Sequence, residues 1–173
     1  MKNFRDFIID VQDCIDIEES SMTRLQAQSD KGGTAVMSAS RGNLSGKENR
    51  ARAKKLDRDI RGKFGKGATK VTGKYDEKDE KTGETKRVKE RSHVIQSGKM
   101  GKRKFKKAVK ALGKKYGQDS VITQQKGDKG ATLKRTRKGG LPKRNIKLGK
   151  RRPGRSGENE TQKKGKTFTY DTK

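Results

Sequence analysis

Forty-eight lysines and arginines stand against twenty-one aspartates and glutamates in this chain, leaving a formal net charge of +27 on 173 residues. Like charges at that density repel, so compaction needs counter-anions or a partner that neutralises them. Apolar residues supply 25% of the chain and aromatics 5%, with no tryptophan, so the core can only be modest. That content supports folding of roughly two-thirds of the chain, the rest reading as tail.

The charge is uneven. Residues 1–30 hold seven acids and three bases, whereas 134–173 hold fifteen bases and three acids. An acidic head on a basic body points to segments with different tasks. A single cysteine, Cys14, allows neither an internal disulfide framework nor a multi-cysteine metal site. No apolar run approaches the roughly 18 residues that a membrane span requires. The acidic N-terminus lacks the basic and apolar regions of a secretory signal.

Phe4, Phe7, Ile8, Val11 and Ile15 recur at spacings of three and four, which predicts an amphipathic helix over 3–19. A polar linker follows over 20–33. Thr34 to Ser40 reads as a short strand, and Ser45-Gly46-Lys47-Glu48 then supplies a capping box. Behind it Ala53, Leu56, Ile60 and Phe64 form a helical stripe. Alternation from Thr69 to Tyr75 and again from Val88 to Gln96 predicts two strands around a polar hairpin loop. Phe105, Ala108, Val109, Leu112 and Tyr116 mark a second helix closed by Gly117. Short strands follow at Ser120 to Thr123 and Ala131 to Arg135.

This order gives an α+β domain over 34–137 on the split βαβ (ferredoxin-like) plan. In that plan an antiparallel sheet carries two helices on one face. The segment 138–173 shows no sustained periodicity and reads as a disordered basic tail.

Distributed positive charge is the strongest chemical signal. Lys102, Arg103, Lys106, Lys107, Lys110 and Lys114 share a helix face that could track a phosphate backbone. In the tail, Lys143, Arg144, Lys150, Arg151, Arg152 and Arg155 would do the same. Such contacts release counterions and bind without regard to sequence. Aromatic residues are too few and too scattered for a base-stacking platform.

Catalytic signals are weaker. His93 is the sole histidine, beside Ser92 and near Arg91. Glu90, Ser92, Gln118, Asp119 and Ser120 fall at predicted strand ends, where a site could assemble, and equally where edge polar residues and caps belong. Cys14 lies among acids, away from the cations that would activate a thiol. No ligand set for a metal, no phosphate-binding GxxxxGK[ST] loop and no cofactor motif is present.

Met1-Lys2-Asn3-Phe4-Arg5-Asp6-Phe7-Ile8 resembles the capsid-targeting leader of internal head proteins in T-even-type myophages. The resemblance implies delivery to the prohead scaffold and cleavage by the prohead protease. Ile15-Asp16-Ile17-Glu18 looks like its cut site, with Glu19 as a near neighbour. The stretch 35–125 also resembles a phage and bacterial domain family of unknown function. The matching positions are Ser38-Ala39-Ser40-Arg41, Asn49-Arg50, Gly73-Lys74-Tyr75, Glu90-Arg91-Ser92 and Tyr116-Gly117-Gln118-Asp119-Ser120.

The expectation is therefore a non-enzymatic virion protein in the head interior, passing through the host cytoplasm during assembly. It would hold packaged DNA through its phosphates. An RNA-binding or ribosome-associated protein is the second reading. A small enzyme acting on nucleic acid is the third, with Arg41, Glu90, Ser92, His93 or Gln118 in its site. Convergence of Arg41, Glu90, Gln118 and Ser120 in one pocket would favour the third.

Overall fold

A computed structural model of the chain describes residues 27–28, 31–78, 84–138, 144–154, 159–163 and 166–170. The expected leader helix over 3–19, the cut site at Glu18 and Glu19, and most of the linker lie outside these residues.

Helix α1 (Gly46–Phe64) starts at a formed capping box: Glu48 N–H donates to Ser45 Oγ, and Ser45 N–H donates to Glu48 Oε2 at 2.8 Å. Two amide donors that the first turn would leave unmet are thereby satisfied. The helix ends at Gly65, whose φ of 67° puts it in the left-handed region that glycine enters without a Cβ penalty. Helix α2 (Lys102–Lys115) lacks a side-chain cap but buries Phe105, Ala108, Val109, Leu112 and Gly113 along one stripe.

Among the described residues nine strands form one sheet. They are β1 (Thr34–Ser38), β2 (Thr69–Lys78), β3 (Thr85–Gln96), β4 (Ser120–Gln124), β5 (Thr132–Arg135), β6 (Ile146–Lys147), β7 (Arg151–Pro153), β8 (Asn159–Lys163) and β9 (Lys166–Tyr170). Their spatial order is β6-β5-β4-β1-β3-β2-β8-β9-β7, with every neighbouring pair antiparallel.

This corrects the expected fold. The molecule is not a split βαβ, ferredoxin-like domain trailed by a disordered basic arm, because β6, β7, β8 and β9 all come from that arm and extend the sheet at both ends. The physical reason is that these strands draw little on apolar periodicity. Among their described side chains only Thr161 and Phe168 are buried, and backbone pairing to β2 and β5 supplies the rest. A segment with two inward side chains looks unstructured by composition, yet satisfies its amides in a ladder.

Period two sorts the central strands between the sheet's two faces. Ala35, Met37 and Ile95 face the helices and pack with Leu56, Ile60, Phe105, Val109, Leu112 and Tyr116. Val36, Val71 and Val94 form a smaller apolar patch on the opposite face, with Ile122 beside them. No helix covers that second face in the described structure, and it is where the cleft lies. Among the described residues no helix is long and apolar enough to cross a membrane.

His93 belongs to the helix-facing set, opposite Met37 in β1 and Lys70 in β2. It is 2% exposed, and its Nδ1 has no hydrogen-bond partner, as is also true of Asp57 Oδ1. Burial pushes the imidazole pKa below its ordinary 6.5; the Asp57 carboxylate opposes this, while Lys70 and Arg91 add to it. The unfolded chain thus takes up a proton that the folded chain refuses. Stability is expected to fall as pH drops below about 6.5, by at most about 1.4 kcal/mol per pH unit. Urea midpoints at about pH 7.5 and 5.5 test this, with His93→Gln expected to flatten the difference. Equal midpoints for the natural protein would overturn it.

Candidate functional site

A cleft of about 430 Å³ opens on the helix-free face. Its floor follows from strand register. Ser38 lies opposite Ser92, and Gly73 lies opposite both Glu90 and Thr161. Alternation then directs Ser38, Ser92, Glu90 and Thr161 to one side. Leu133 and Leu148 enter from one end of the sheet, Thr161 and Tyr170 from the other. One cavity touched by both ends requires the sheet to curl.

The lining falls into three chemistries. Val36, Ile122, Leu133 and Leu148 make an apolar strip, with the Tyr170 ring nearby. Ser38, Ser92, Ser120 and Thr161 supply hydroxyls. Glu90 and Asp119 bring carboxylates and Lys74 an ammonium. Asp119 is engaged at the rim by Arg137, at 2.5 Å.

The turn carrying Gln118, Asp119 and Ser120 is held from several sides. Gly117 takes φ 68°, and Gln118 N–H donates to Gly113 carbonyl at 2.9 Å. Gln118 carbonyl accepts from the Thr136 hydroxyl, and its side-chain Nε2 donates to Ser40 carbonyl at 2.9 Å. One of the two amide N–H donors is thereby committed to backbone. Arg52 joins the two edges of this region: Nε donates to Ala39 carbonyl at 2.7 Å and a terminal nitrogen to Tyr116 carbonyl at 2.6 Å. Its guanidinium also lies 5.8 Å from the Tyr116 ring centre.

Behind that junction Tyr116 donates its hydroxyl to Asp59 Oδ2 at 2.6 Å, and Lys115 Nζ reaches the same oxygen at 2.8 Å. The Lys115 and Tyr116 hydrogen bonds hold Asp59 below the usual carboxylate range. Burial and the Asp59 hydrogen bond push the Tyr116 phenol well above its ordinary value. Both groups therefore keep fixed charge states at neutral pH and act as struts.

A second cleft, of about 350 Å³, lies against the first, and Glu90 lines both. Arg41, Arg50, Lys89 and Arg91 line it on the other sides. Asn49 fixes its loop. Asn49 Oδ1 accepts from Arg41 N–H at 2.9 Å, while Nδ2 donates to the carbonyls of Arg41 and Leu44 at 3.0 and 3.1 Å. The Arg41 guanidinium rests on Gly117, where an added Cβ would stand 2.6 Å from it.

Of the candidate residues read from sequence, Glu90, Ser92, Gln118, Asp119 and Ser120 meet in the first cleft, and Arg41 stands in the second. His93 points away from both, under the helices. Lys102, Arg103, Lys106, Lys107, Lys110 and Lys114 lie along α2 and line neither cleft; three of them edge a further groove with Lys138 and with Arg137, the partner of Asp119. Arg144 and Lys150 are exposed, and Arg151 and Arg152 belong to β7. Lys143 and Arg155 lie outside the described residues. Sequence reasoning missed Thr161 and Tyr170 as site residues. The alternation in Lys166-Thr167-Phe168-Thr169-Tyr170 was the available signal.

The model of the S-adenosylmethionine lyase family matches residues 35–173, and the chain belongs to that family. No curated protein matches the chain. Membership corrects the functional expectations. It supports neither an internal head protein nor DNA binding as the activity, and it replaces the non-enzymatic reading with a family named for an enzyme. The ribosome-associated protein and the nucleic-acid enzyme fall with them, since neither is a lyase of this substrate. The misleading resemblance rested on the first eight residues, which lie outside the matched span.

Proposed function

From that membership we infer that the larger cleft binds S-adenosylmethionine and breaks one of its carbon–sulfur bonds without water. The observation that carries this reading is the composition of the cleft itself. It combines a carboxylate, a set of hydroxyls and an apolar strip in about 430 Å³, all within the matched residues. Small-molecule sites span about 300–1,000 Å³ and are mostly apolar with a few placed polar groups.

The substrate is a sulfonium cation with an adenosine on one side and an amino-acid chain on the other. Adenine suits the strip of Val36, Ile122, Leu133 and Leu148, with the Tyr170 ring offering an aromatic face. The ribose hydroxyls suit Ser38, Ser92, Ser120 and Thr161. Glu90 offers the negative charge that a cationic substrate needs inside a protein of net charge +27.

A lyase adds no water, so a group of the substrate must take the place of sulfur. Its own carboxylate is suited to this: an oxygen attacks Cγ, the O–Cγ bond forms, and the Cγ–S bond breaks with its electron pair passing to sulfur. No proton need move. The products are methylthioadenosine and homoserine lactone. An anion and a cation collapse into neutral groups in this step, so charge is dispersed on the way to the transition state. Shedding water from the carboxylate and the sulfonium therefore favours the transition state over the bound substrate.

The test is incubation with S-adenosylmethionine in ¹⁸O-labelled water, with products identified by mass spectrometry at early times. Methylthioadenosine and unlabelled lactone are expected. Intact substrate, or label entering homoserine as fast as methylthioadenosine appears, would overturn the reading.

A further inference from the structure

We propose that the basic cleft beyond Glu90 is the subsite for the carboxylate of the substrate's amino-acid end. This rests on the reading of the larger cleft as the S-adenosylmethionine site, and extends it to a second cavity that adenosine does not need.

The argument begins with the shared wall. Glu90 is the one charged residue that lines both clefts, so a ligand lying across it has one end in each. The larger side carries the apolar strip and the hydroxyls. The smaller side carries Arg41, Arg50, Lys89 and Arg91 around about 350 Å³. S-Adenosylmethionine has the complementary order: an uncharged nucleoside, then a cationic centre, then an ammonium and a single carboxylate. Laid across Glu90, its sulfonium and ammonium meet the carboxylate ridge and its carboxylate meets the arginines.

The cations are available for this. Among the described residues, none of the salt bridges engages Arg41, Arg50, Lys89 or Arg91. Arg41 is also held in place before any ligand arrives. Asn49 binds the Arg41 backbone through both its N–H and its carbonyl, and the Arg41 guanidinium is seated on Gly117. Lys89 and Arg91 flank Glu90 on β3, and alternation turns their side chains to the opposite face, so they border the second cleft and not the first. A guanidinium N–H that donates to one carboxylate oxygen gives orientation as well as attraction. Contact with one carboxylate oxygen leaves the other to attack Cγ, so the arginines would set the angle of attack without consuming the nucleophile.

The experiment compares two ligands that differ only in this group. Decarboxylated S-adenosylmethionine keeps the sulfonium, the amine and the nucleoside but lacks the attacking oxygen, so it is an inert competitor. For the full-length natural protein, the Arg50→Ala variant and the Arg41→Ala/Arg50→Ala variant, KM for S-adenosylmethionine and Ki for the decarboxylated compound are measured together. The double variant is expected to raise KM about tenfold or more while Ki stays within about twofold. Arg50→Ala, on an exposed position that leaves the Arg41 packing intact, is expected to move KM alone by a smaller factor. If KM and Ki rise in parallel, or neither moves, the subsite is overturned while the lyase reading stands. If the natural protein cleaves no S-adenosylmethionine, the lyase reading itself fails and takes the subsite with it.

Discussion

Glu90→Gln is expected to raise KM for S-adenosylmethionine by about 10- to 100-fold, with a much smaller change in kcat. A charge-assisted hydrogen bond contributes about 1.5–3 kcal/mol, which sets that range. Two features make the loss fall on binding. The substrate carries a net positive charge into a molecule whose own field is strongly positive, and Glu90 is the carboxylate at the junction of both clefts. The positive charge on sulfur also fades during the reaction, so Glu90 stabilises the bound substrate at least as well as the transition state. Steady-state kinetics on a variant with an unchanged circular dichroism spectrum decide the matter. An unaltered KM would remove Glu90 from the site; a large fall in kcat at constant KM would make it a participant in bond breaking.

The largest loss of stability is expected from Phe105→Ala, at about 3–5 kcal/mol by urea denaturation. Phe105 is fully buried at the start of α2. Its ring meets Phe64 of α1 edge-on, at 5.6 Å between centres and 70° between planes. On its other side it lies against Gly33, where a Cβ would come within 3.2 Å of the ring. One side chain thus joins both helices to the sheet in a chain with little apolar material to spare. Domains of this kind have about 5–15 kcal/mol in total. A loss under about 1 kcal/mol would show that the core can close over the cavity.

Both helices were legible in the sequence because each carries a stripe of apolar residues at helical spacing. Ser45 and Glu48 marked one start without ambiguity. Period two also puts Ser92 and His93 on opposite faces of β3, a consequence not drawn when both stood as candidates for one site. What periodicity could not supply was which strand lies beside which, and therefore that Glu90, Gly73 and Thr161 share one register line. The C-terminal strands were invisible for a different reason: among their described side chains Phe168 is the one large one buried, and the ladder that orders them has no compositional signature. Charge misdirected the functional reading. Lysines and arginines make up eight of the fourteen residues of α2, whereas the cleft is lined mostly by serines, a threonine, aliphatics and few charges. Chemistry on a basic protein's least basic face leaves almost no trace in its composition.

Among the described residues, the three strands β8, β9 and β7 pair with the rest of the sheet only through β8 and β2, four residues on each side. Thr161 and Tyr170 ride on that flap, whereas Val36, Ile122 and Leu133 sit on strands that pair elsewhere. So short an attachment is a natural unit of partial opening, able to peel away while the centre stays closed. A molecule that touches Tyr170 and Val36 at once bridges the seam. Filling the cleft and latching the flap are then one equilibrium viewed from two sides, and each must strengthen the other by the same factor.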